Sequence, residues 1–124
     1  MGTFVIKKRF NNDYKFVFSS RKGKIIFTSV TCISKSVTES MIEEIKNNIV
    51  DFGFTRLKNA AGKYFFKLTK EGLVFANSRK YATEPVMQKG IDEIVKYVSV
   101  AEILDFSEGN FIFPDILEVF EQQK

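Results

Sequence analysis

The chain repeats its own pattern once, and this internal repeat limits the possible folds more than any other feature. Four residues of the first copy recur, as the same or a similar residue, fifty positions later in the chain: Phe4, Tyr14, Phe16 and Phe18. After a one-residue deletion the offset is forty-nine, and the recurring positions are Gly23, Ser29, Ser34, Val37, Ile42, Glu44, Ile45 and Ile49. Repeats of this length usually encode one supersecondary unit each. We therefore expect two units, residues 4–52 and 54–106, within one domain that covers residues 1–106.

Each unit begins with a strand pattern. Tyr14, Phe16 and Phe18 alternate with more polar residues, which is the period of a half-buried strand. Glycine and asparagine turns flank these runs. Strands are expected at residues 3–9, 14–19 and 24–30 in the first copy, and at 54–58, 63–68 and 73–79 in the second.

The pattern then changes to a helical period. Ile42, Ile45 and Ile49 share one helix face, and the second copy repeats this stripe. Ser34 and Thr83 occupy N-cap positions. A short β-like run follows each helix, at residues 50–54 and 100–106. Beyond these runs, residues 114–123 predict a short C-terminal helix within an acidic extension, residues 107–124.

These residues resemble the YegP-like family, small and mostly bacterial tandem-repeat proteins of uncharacterised function. Its unit looks like Phe-x-x-x-Lys, then Gly-x-aromatic-x-Phe-x-Leu, a glycine turn, a serine and an Ile-rich helix. The second copy matches at Phe54, Lys58, Gly62, Tyr64, Phe66, Leu68, Gly72, Ser78, Tyr81, Ile91 and Ile94. In the first copy Asn12 replaces the turn glycine and Cys32 replaces the tyrosine.

The resemblance implies an α+β fold in which a β-β-β-α-β unit is used twice. The last strands would be exchanged between units, so that one antiparallel sheet carries both helices on one face. Such a chain is similar to a fused dimer, and we expect a monomeric pseudo-dimer or a weak homodimer. The family supplies no catalytic or ligand residues.

Composition argues against most enzyme classes. The chain contains no histidine, and its one cysteine cannot build a metal cage, so we expect no cofactor and no catalytic centre. A single thiol favours the cytoplasm, and no apolar run approaches the roughly 20 residues that cross a membrane. The leading prediction is a non-enzymatic binding or interaction module. A thiol-dependent enzyme that uses Cys32, placed before a helix, is a weaker alternative.

Charge is divided unevenly along the chain and suggests a partner. Residues 1–98 carry 18 lysines and arginines against nine acidic residues, whereas residues 99–124 carry one against six. A basic body can bind nucleic acid with little sequence specificity. The candidate contacts, expected on turns and on the outer sheet face, are Lys7, Lys8, Arg9, Arg21, Lys22, Lys24, Arg56, Lys63 and Lys67. Val17 and Phe65 occupy the alternating strand positions that are also expected to point to the outer face of the sheet. The alternative is that these cations are ordinary surface charges that keep the protein soluble.

The C-terminal extension is rich in apolar residues for a solvated segment. We expect its rings and its leucine to dock on the repeat body or on another molecule, and intramolecular docking is favoured. The residues concerned are Phe106, Phe111, Phe113, Leu117 and Phe120.

Overall fold

The computed structural model describes residues 2–107, which form one seven-stranded sheet and two long helices. The strands are β1 (Thr3–Lys8), β2 (Tyr14–Ser19), β3 (Ile25–Ser29), β4 (Gly53–Lys58), β5 (Tyr64–Lys70), β6 (Leu73–Ser78) and β7 (Glu102–Asp105). The helices are α1 (Lys35–Asn48) and α2 (Glu84–Tyr97), and each continues into a single 3-10 turn, Ile49–Asp51 and Val98–Val100. The predicted helix at residues 114–123 lies outside the described residues.

The sheet is mixed, so the prediction of a wholly antiparallel sheet is wrong. Its strand order is β4-β5-β6-β3-β2-β1-β7, and β7 runs parallel to β1 while the other neighbours are antiparallel. The segment after α2 enters the sheet beside Thr3 and follows the direction of β1. A parallel neighbour needs a long crossover connection, and α2 lies within this one.

The two sheet edges differ. β7 follows the second helix in sequence and pairs with β1, at the opposite edge of the sheet from β4. The corresponding run predicted at residues 50–54 is not a separate strand, because Ile49–Asp51 forms a 3-10 turn and Gly53 already begins β4. Among the described residues, β4 is therefore a sheet edge with no strand beyond it.

Local sequence explains where the helices begin. The Ser34 hydroxyl accepts a hydrogen bond from the Val37 N–H at 3.1 Å, and Thr83 caps α2 in the same way through Val86. Both predicted N-caps are confirmed. Pro85 lies in the first turn of α2, where its missing N–H costs little.

The core lies between the sheet and the helices. The rings of Phe4, Phe18 and Phe27 are fully buried, with centroids 5.1 Å apart for Phe4 and Phe18 and 5.4 Å apart for Phe18 and Phe27. Ile45 of α1 and Ile94 of α2 are also fully buried in this cluster. The alternating aromatic residues of the strands and the isoleucine stripes of the helices thus form one core.

Buried serines mark the same irregularity in both parts of the sheet. The Ser29 hydroxyl accepts the Phe16 N–H at 2.9 Å, and the Ser78 hydroxyl accepts the Phe66 N–H at 2.9 Å. Each hydroxyl also donates to the carbonyl of the next residue, and the register of β2 and of β5 shifts two or three residues beyond the bonded N–H. The serines satisfy N–H groups that would otherwise be buried without a partner.

Candidate functional site

One face of the sheet carries the helices and the other does not. Residues directly opposite each other on paired strands share a face. One cross-strand row on the helix-free face spans all seven strands: Leu104, Val5, Val17, Thr28, Asn77, Lys67 and Thr55. Lys7 also lies on this face, opposite Lys15.

Two of the predicted contacts lie on the other side of the sheet. Arg56 is opposite Phe66 and Lys8 is opposite Tyr14, and both partners pack in or against the core on the helix side. The expectation that these cations lie on the outer face is therefore wrong. Val17 does point outward but is only 7% exposed, so it offers little contact surface, whereas Phe65 is half-buried.

The strand directions divide the remaining cations between two ends of the sheet, except Lys67, which lies in the middle of β5. We call the end with the β2–β3 and β4–β5 turns the upper end, and the end with the β1–β2 and β5–β6 turns the lower end. Arg21, Lys22, Lys24 and Lys63 lie in the upper turns, and Lys7 and Arg9 lie toward the lower end. A six-residue strand spans roughly 20 Å, so the nine predicted residues do not form one site.

The β2–β3 turn forms one wall of an open groove of about 350 Å³ at the upper end. Arg21, Lys22 and Lys24 line it together with Ser20. The opposite wall comes from α2 through Glu93 and Tyr97. The turn is held by backbone hydrogen bonds from Ser20 to Lys24 and from Gly23 to Ser20. Three cations and one carboxylate therefore face the same space.

Cations and aromatic rings alternate where β4, β5 and β6 reach the upper end. The Lys80 ammonium lies 4.8 Å from the centroid of the Phe65 ring, and the Arg79 guanidinium lies 5.5 Å from the Tyr81 ring. Lys58 lies 5.3 Å from the Tyr64 ring. The sequence reasoning missed Arg79, Lys80 and Lys58. Arg79 and Lys80 belong to an Arg-Lys-Tyr run at the end of the predicted strand 73–79, and Lys58 ends the predicted strand 54–58.

The lower end is more self-contained. The Arg9 side chain forms an ion pair with Asp13 at 3.1 Å across the β1–β2 turn. Lys70 is bonded to Glu44 of α1, a contact that lowers the pKa of the glutamate and raises that of the lysine. Arg9 and Lys70 are therefore already paired within the protein.

A second ion pair connects α1 to β7. Lys35 Nζ lies 2.6 Å from a carboxylate oxygen of Asp105. Burial by itself raises the pKa of Asp105, but the hydrogen bonds from Lys35 and Ser107 together outweigh it, so the net pKa is below the ordinary value. The pair fixes the end of the parallel strand to the beginning of the first helix.

Cys32 is in a poor position for covalent catalysis. Its side chain is 2% exposed, and its sulfur lies 3.4 Å from the Val30 carbonyl oxygen and 3.6 Å from the Met41 sulfur. A substrate needs access to the thiolate, and these contacts block the approach. The geometry therefore gives no support to the thiol-enzyme alternative.

Other predicted features are described only in part. Phe106 lies directly after β7, its N–H bonds to the Ile6 carbonyl, and 42% of its surface is exposed. Phe111, Phe113, Leu117 and Phe120 lie outside the described residues. Within residues 2–107, no group of three potential metal ligands converges, and no helix is long and apolar enough to cross a membrane.

Several bacterial proteins are similar to this chain in sequence. No family model matches the chain. It is 29% identical to a UPF0339 protein of Acinetobacter baylyi, over 86% of this chain and 97% of that protein. It is 28% identical to the UPF0339 protein YegP of Escherichia coli K12, over 75% and 86%. The resemblance to YegP-like proteins is confirmed.

Solved structures share the YegP-like fold. The solution NMR structure of YegP from E. coli aligns with a TM-score of 0.77 at 24% identity, over 88% of this chain and 96% of that one. A UPF0339 protein from Shewanella oneidensis gives the same TM-score at 22% identity, over 86% and 92%. The YegP structure is described as a protein of unknown function, and the UPF0339 relatives carry no assigned activity.

Proposed function

We propose that this protein is a non-enzymatic binding module that holds single-stranded nucleic acid at the upper end of its sheet. The observation that carries the proposal is that the β2–β3 turn, the β4–β5 turn and the end of β6 all lie at the same end of the sheet. Together they bring the side chains of Arg21, Lys22, Lys24, Lys63, Arg79 and Lys80 to one end.

Chemistry at this end suits a single strand better than a duplex. Unpaired bases stack on aromatic rings while cations neutralise the phosphates. Phe65 on the helix-free face, with Lys80 over its ring, offers such a pairing, and Lys67 lies on the same face. Because the contacts are to backbone charge and ring faces, we expect weak sequence preference.

Salt dependence tests the proposal directly. In a filter-binding titration with single-stranded RNA and DNA at two salt concentrations, affinity should fall steeply as salt rises. For single strands the slope of log K against log salt is about −0.7 per neutralised phosphate. Lys22→Gln with Lys80→Gln should weaken binding and flatten this slope.

Lys7→Gln with Lys8→Gln is the matched control, because it removes the same charge at the lower end and should change both quantities less. Absence of binding at low salt contradicts the proposal. An effect of the control pair equal to that of the upper pair contradicts the placement of the site.

We also infer that the body is a tandem repeat, residues 4–52 and 54–106, that folds as a monomeric pseudo-dimer. The matched serine hydrogen bonds support this inference, as do two equivalent bridges, Tyr14 with Cys32 and Tyr64 with Tyr81. A chain with one buried thiol and no disulfide suits the reducing cytoplasm, which is the location we propose.

We propose that the extension, residues 107–124, docks on the body beside β7. The half-exposed apolar side chains of Ile103, Leu104 and Phe106 lie next to the point where the extension begins. A docked extension would cover them, in keeping with the burial preference of apolar groups.

A further inference from the structure

The groove beside the β2–β3 turn has an equivalent at the lower end, and the two differ in charge. At an offset of forty-nine, Arg21 corresponds to Lys70 and Glu93 corresponds to Glu44. Lys70 and Glu44 form an ion pair, and the Lys70 ammonium also lies 5.9 Å from the Phe52 ring. The lower position is therefore neutralised by its own side chains.

At the upper end the equivalent space is open and carries excess positive charge. Lys22 replaces Glu71 and Lys24 replaces Leu73, and the upper turn is one residue longer. Within residues 2–107, no ion pair joins Glu93 to the three cations of the groove. Three positive charges against one negative charge leave a surplus of two.

We propose that this groove binds a phosphate monoester, namely the terminal phosphate of a bound single strand. The inference rests on the proposed function and names a subsite within it. A phosphate monoester carries between about 1.5 and 2 negative charges at pH 7, which matches the surplus in the groove. An internal phosphodiester carries one charge and two bulky substituents, so it satisfies the groove less well.

The groove also has suitable donors. Arginine presents a planar set of N–H groups that bind phosphate oxygens in pairs, and lysine supplies a compact ammonium. Arg21, Lys22 and Lys24 provide one guanidinium and two ammonium groups within a five-residue turn. Glu93 repels any anion in the groove and limits its affinity, but the surplus of two positive charges still favours a doubly charged group over a singly charged one.

The test compares two forms of one ten-nucleotide RNA, with a 5′-phosphate and with a 5′-hydroxyl, by fluorescence anisotropy at low salt. The full chain should bind the phosphorylated form about tenfold more tightly, which corresponds to about 1.4 kcal/mol. A 3′-phosphorylated form shows which strand end enters the groove. A preference for either phosphorylated end over the hydroxyl form supports the proposal.

The decisive variant places two residues of the lower β5–β6 turn region in the upper β2–β3 turn. Lys22→Glu with Lys24→Leu introduces the residues that occupy Glu71 and Leu73 at the shorter β5–β6 turn of this same chain. The preference for the terminal phosphate should fall below about twofold. The control, Lys7→Glu with Lys8→Leu, makes the same charge change at the lower end and should keep the preference. Circular dichroism verifies that both variants fold.

Adenosine monophosphate separates this proposal from the more general one. Its addition should shift the amide NMR signals of residues 20–24 in the wild-type chain and not in the transplanted variant. Equal binding of all three RNAs overturns the groove proposal and leaves the proposed function intact, and a preference that survives the transplant also overturns it. Amide shifts with the nucleotide but no RNA binding uphold a phosphate monoester site in the groove and reject both the proposed function and a strand end as its ligand.

Discussion

The N-terminal half, residues 3–51, and the C-terminal half, residues 53–100, have the same order of elements, three strands, a helix and a 3-10 turn, but differ in the size of some core side chains. In the first half Cys32 lies beside Met41, with their sulfurs 3.6 Å apart. In the second half the equivalent residues are Tyr81 and Gly90. A Cβ atom on Gly90 would lie 2.4 Å from the tyrosine hydroxyl. Each strand-to-helix contact thus joins one small and one large residue, so total volume is conserved while shape is not.

A second comparison concerns equivalent positions on the strands β1 and β4 near the two edges of the sheet. Ile6 of β1 is 1% exposed because β7 covers that edge, whereas the equivalent residue of bare β4 is the exposed Arg56. Charged residues on an edge strand discourage unwanted pairing with other chains. Within residues 2–107, the same position therefore holds an apolar residue where a strand is adjacent and a charged one where no strand is adjacent.

Removing β7 should break this comparison most severely. A chain that ends at Ala101 leaves β1 as a second bare edge, with Phe4 and Ile6 partly uncovered and the Lys35–Asp105 pair lost. We expect a loss of more than about 3 kcal/mol in the free energy of unfolding, measured by urea denaturation.

A chain that ends at Ser107 is the control for the truncation. It retains β7 and lacks only residues 108–124, so it should remain folded. A lower melting temperature than that of the full chain would support docking of the extension. An unchanged melting temperature in a monomeric protein would reject it. A variant ending at Ala101 that is as stable as the control would contradict the structural role of β7.

The size exchange can be tested by a double-mutant cycle. Gly90→Ala gains about 1 kcal/mol of helix propensity but crowds the buried Tyr81 hydroxyl, which costs about 1–3 kcal/mol, so we expect a small net loss of stability. Tyr81→Cys should cost about 3 kcal/mol by leaving a cavity.

The double variant, Tyr81→Cys with Gly90→Met, reproduces the pair found in the first half. It should recover at least about 1 kcal/mol relative to the sum of the single changes Tyr81→Cys and Gly90→Met. The measurement is the denaturation midpoint and slope of all four proteins in the cycle. Strict additivity would show that the two positions do not compensate each other.

The edge strand β4 provides a prediction about self-association of the protein. Thr55→Val with Arg56→Ile gives β4 the residues that β1 has at Val5 and Ile6. The monomer's stability should change by less than about 0.5 kcal/mol, but the chain should self-associate with increasing concentration. Sedimentation velocity measures this directly. A variant that stays monomeric at high concentration would show that Arg56 does not protect the edge.

The last prediction concerns the response to acid. The pKa of Asp105 is lowered in the folded state, so its contribution to stability is complete above the unfolded value near 3.8 and is lost as the pH falls through the folded pKa. Asp105→Asn should therefore be less stable at pH 7, by less than about 1 kcal/mol. The difference from the wild type should shrink below pH 3.8. A difference that is constant with pH would contradict the assignment.

Much of the fold could be predicted from the sequence because alternation, capping residues and turn residues are local signals. Asn12, where a glycine was expected, adopts a φ of 70°, close to the 83° of Gly62 in the equivalent turn. The parallel direction of β7 and the missing strand after α1 depend on connection geometry, which no local pattern encodes. At residues 50–54 a β-like composition was misleading, because the chain turns at once into β4.

The candidate site was less predictable. The sequence identified the cations of the β2–β3 turn, but the grouping of Lys80 with Phe65, and of Glu93 with Arg21, depends on which strands and helices become neighbours. Arg56 was misplaced because strand parity alone does not tell which face the helices cover. Charge counts therefore identified candidate residues, and only the tertiary arrangement separated the two ends of the sheet.

The pairing of β1 with β7 also has a consequence for synthesis on the ribosome. Thr3 is made about a hundred residues before its partner Glu102. Contacts of such long sequence separation form slowly and late. The nascent chain must therefore expose one side of β1 until β7 has left the ribosome, and a chaperone that shields strand edges would act during that interval.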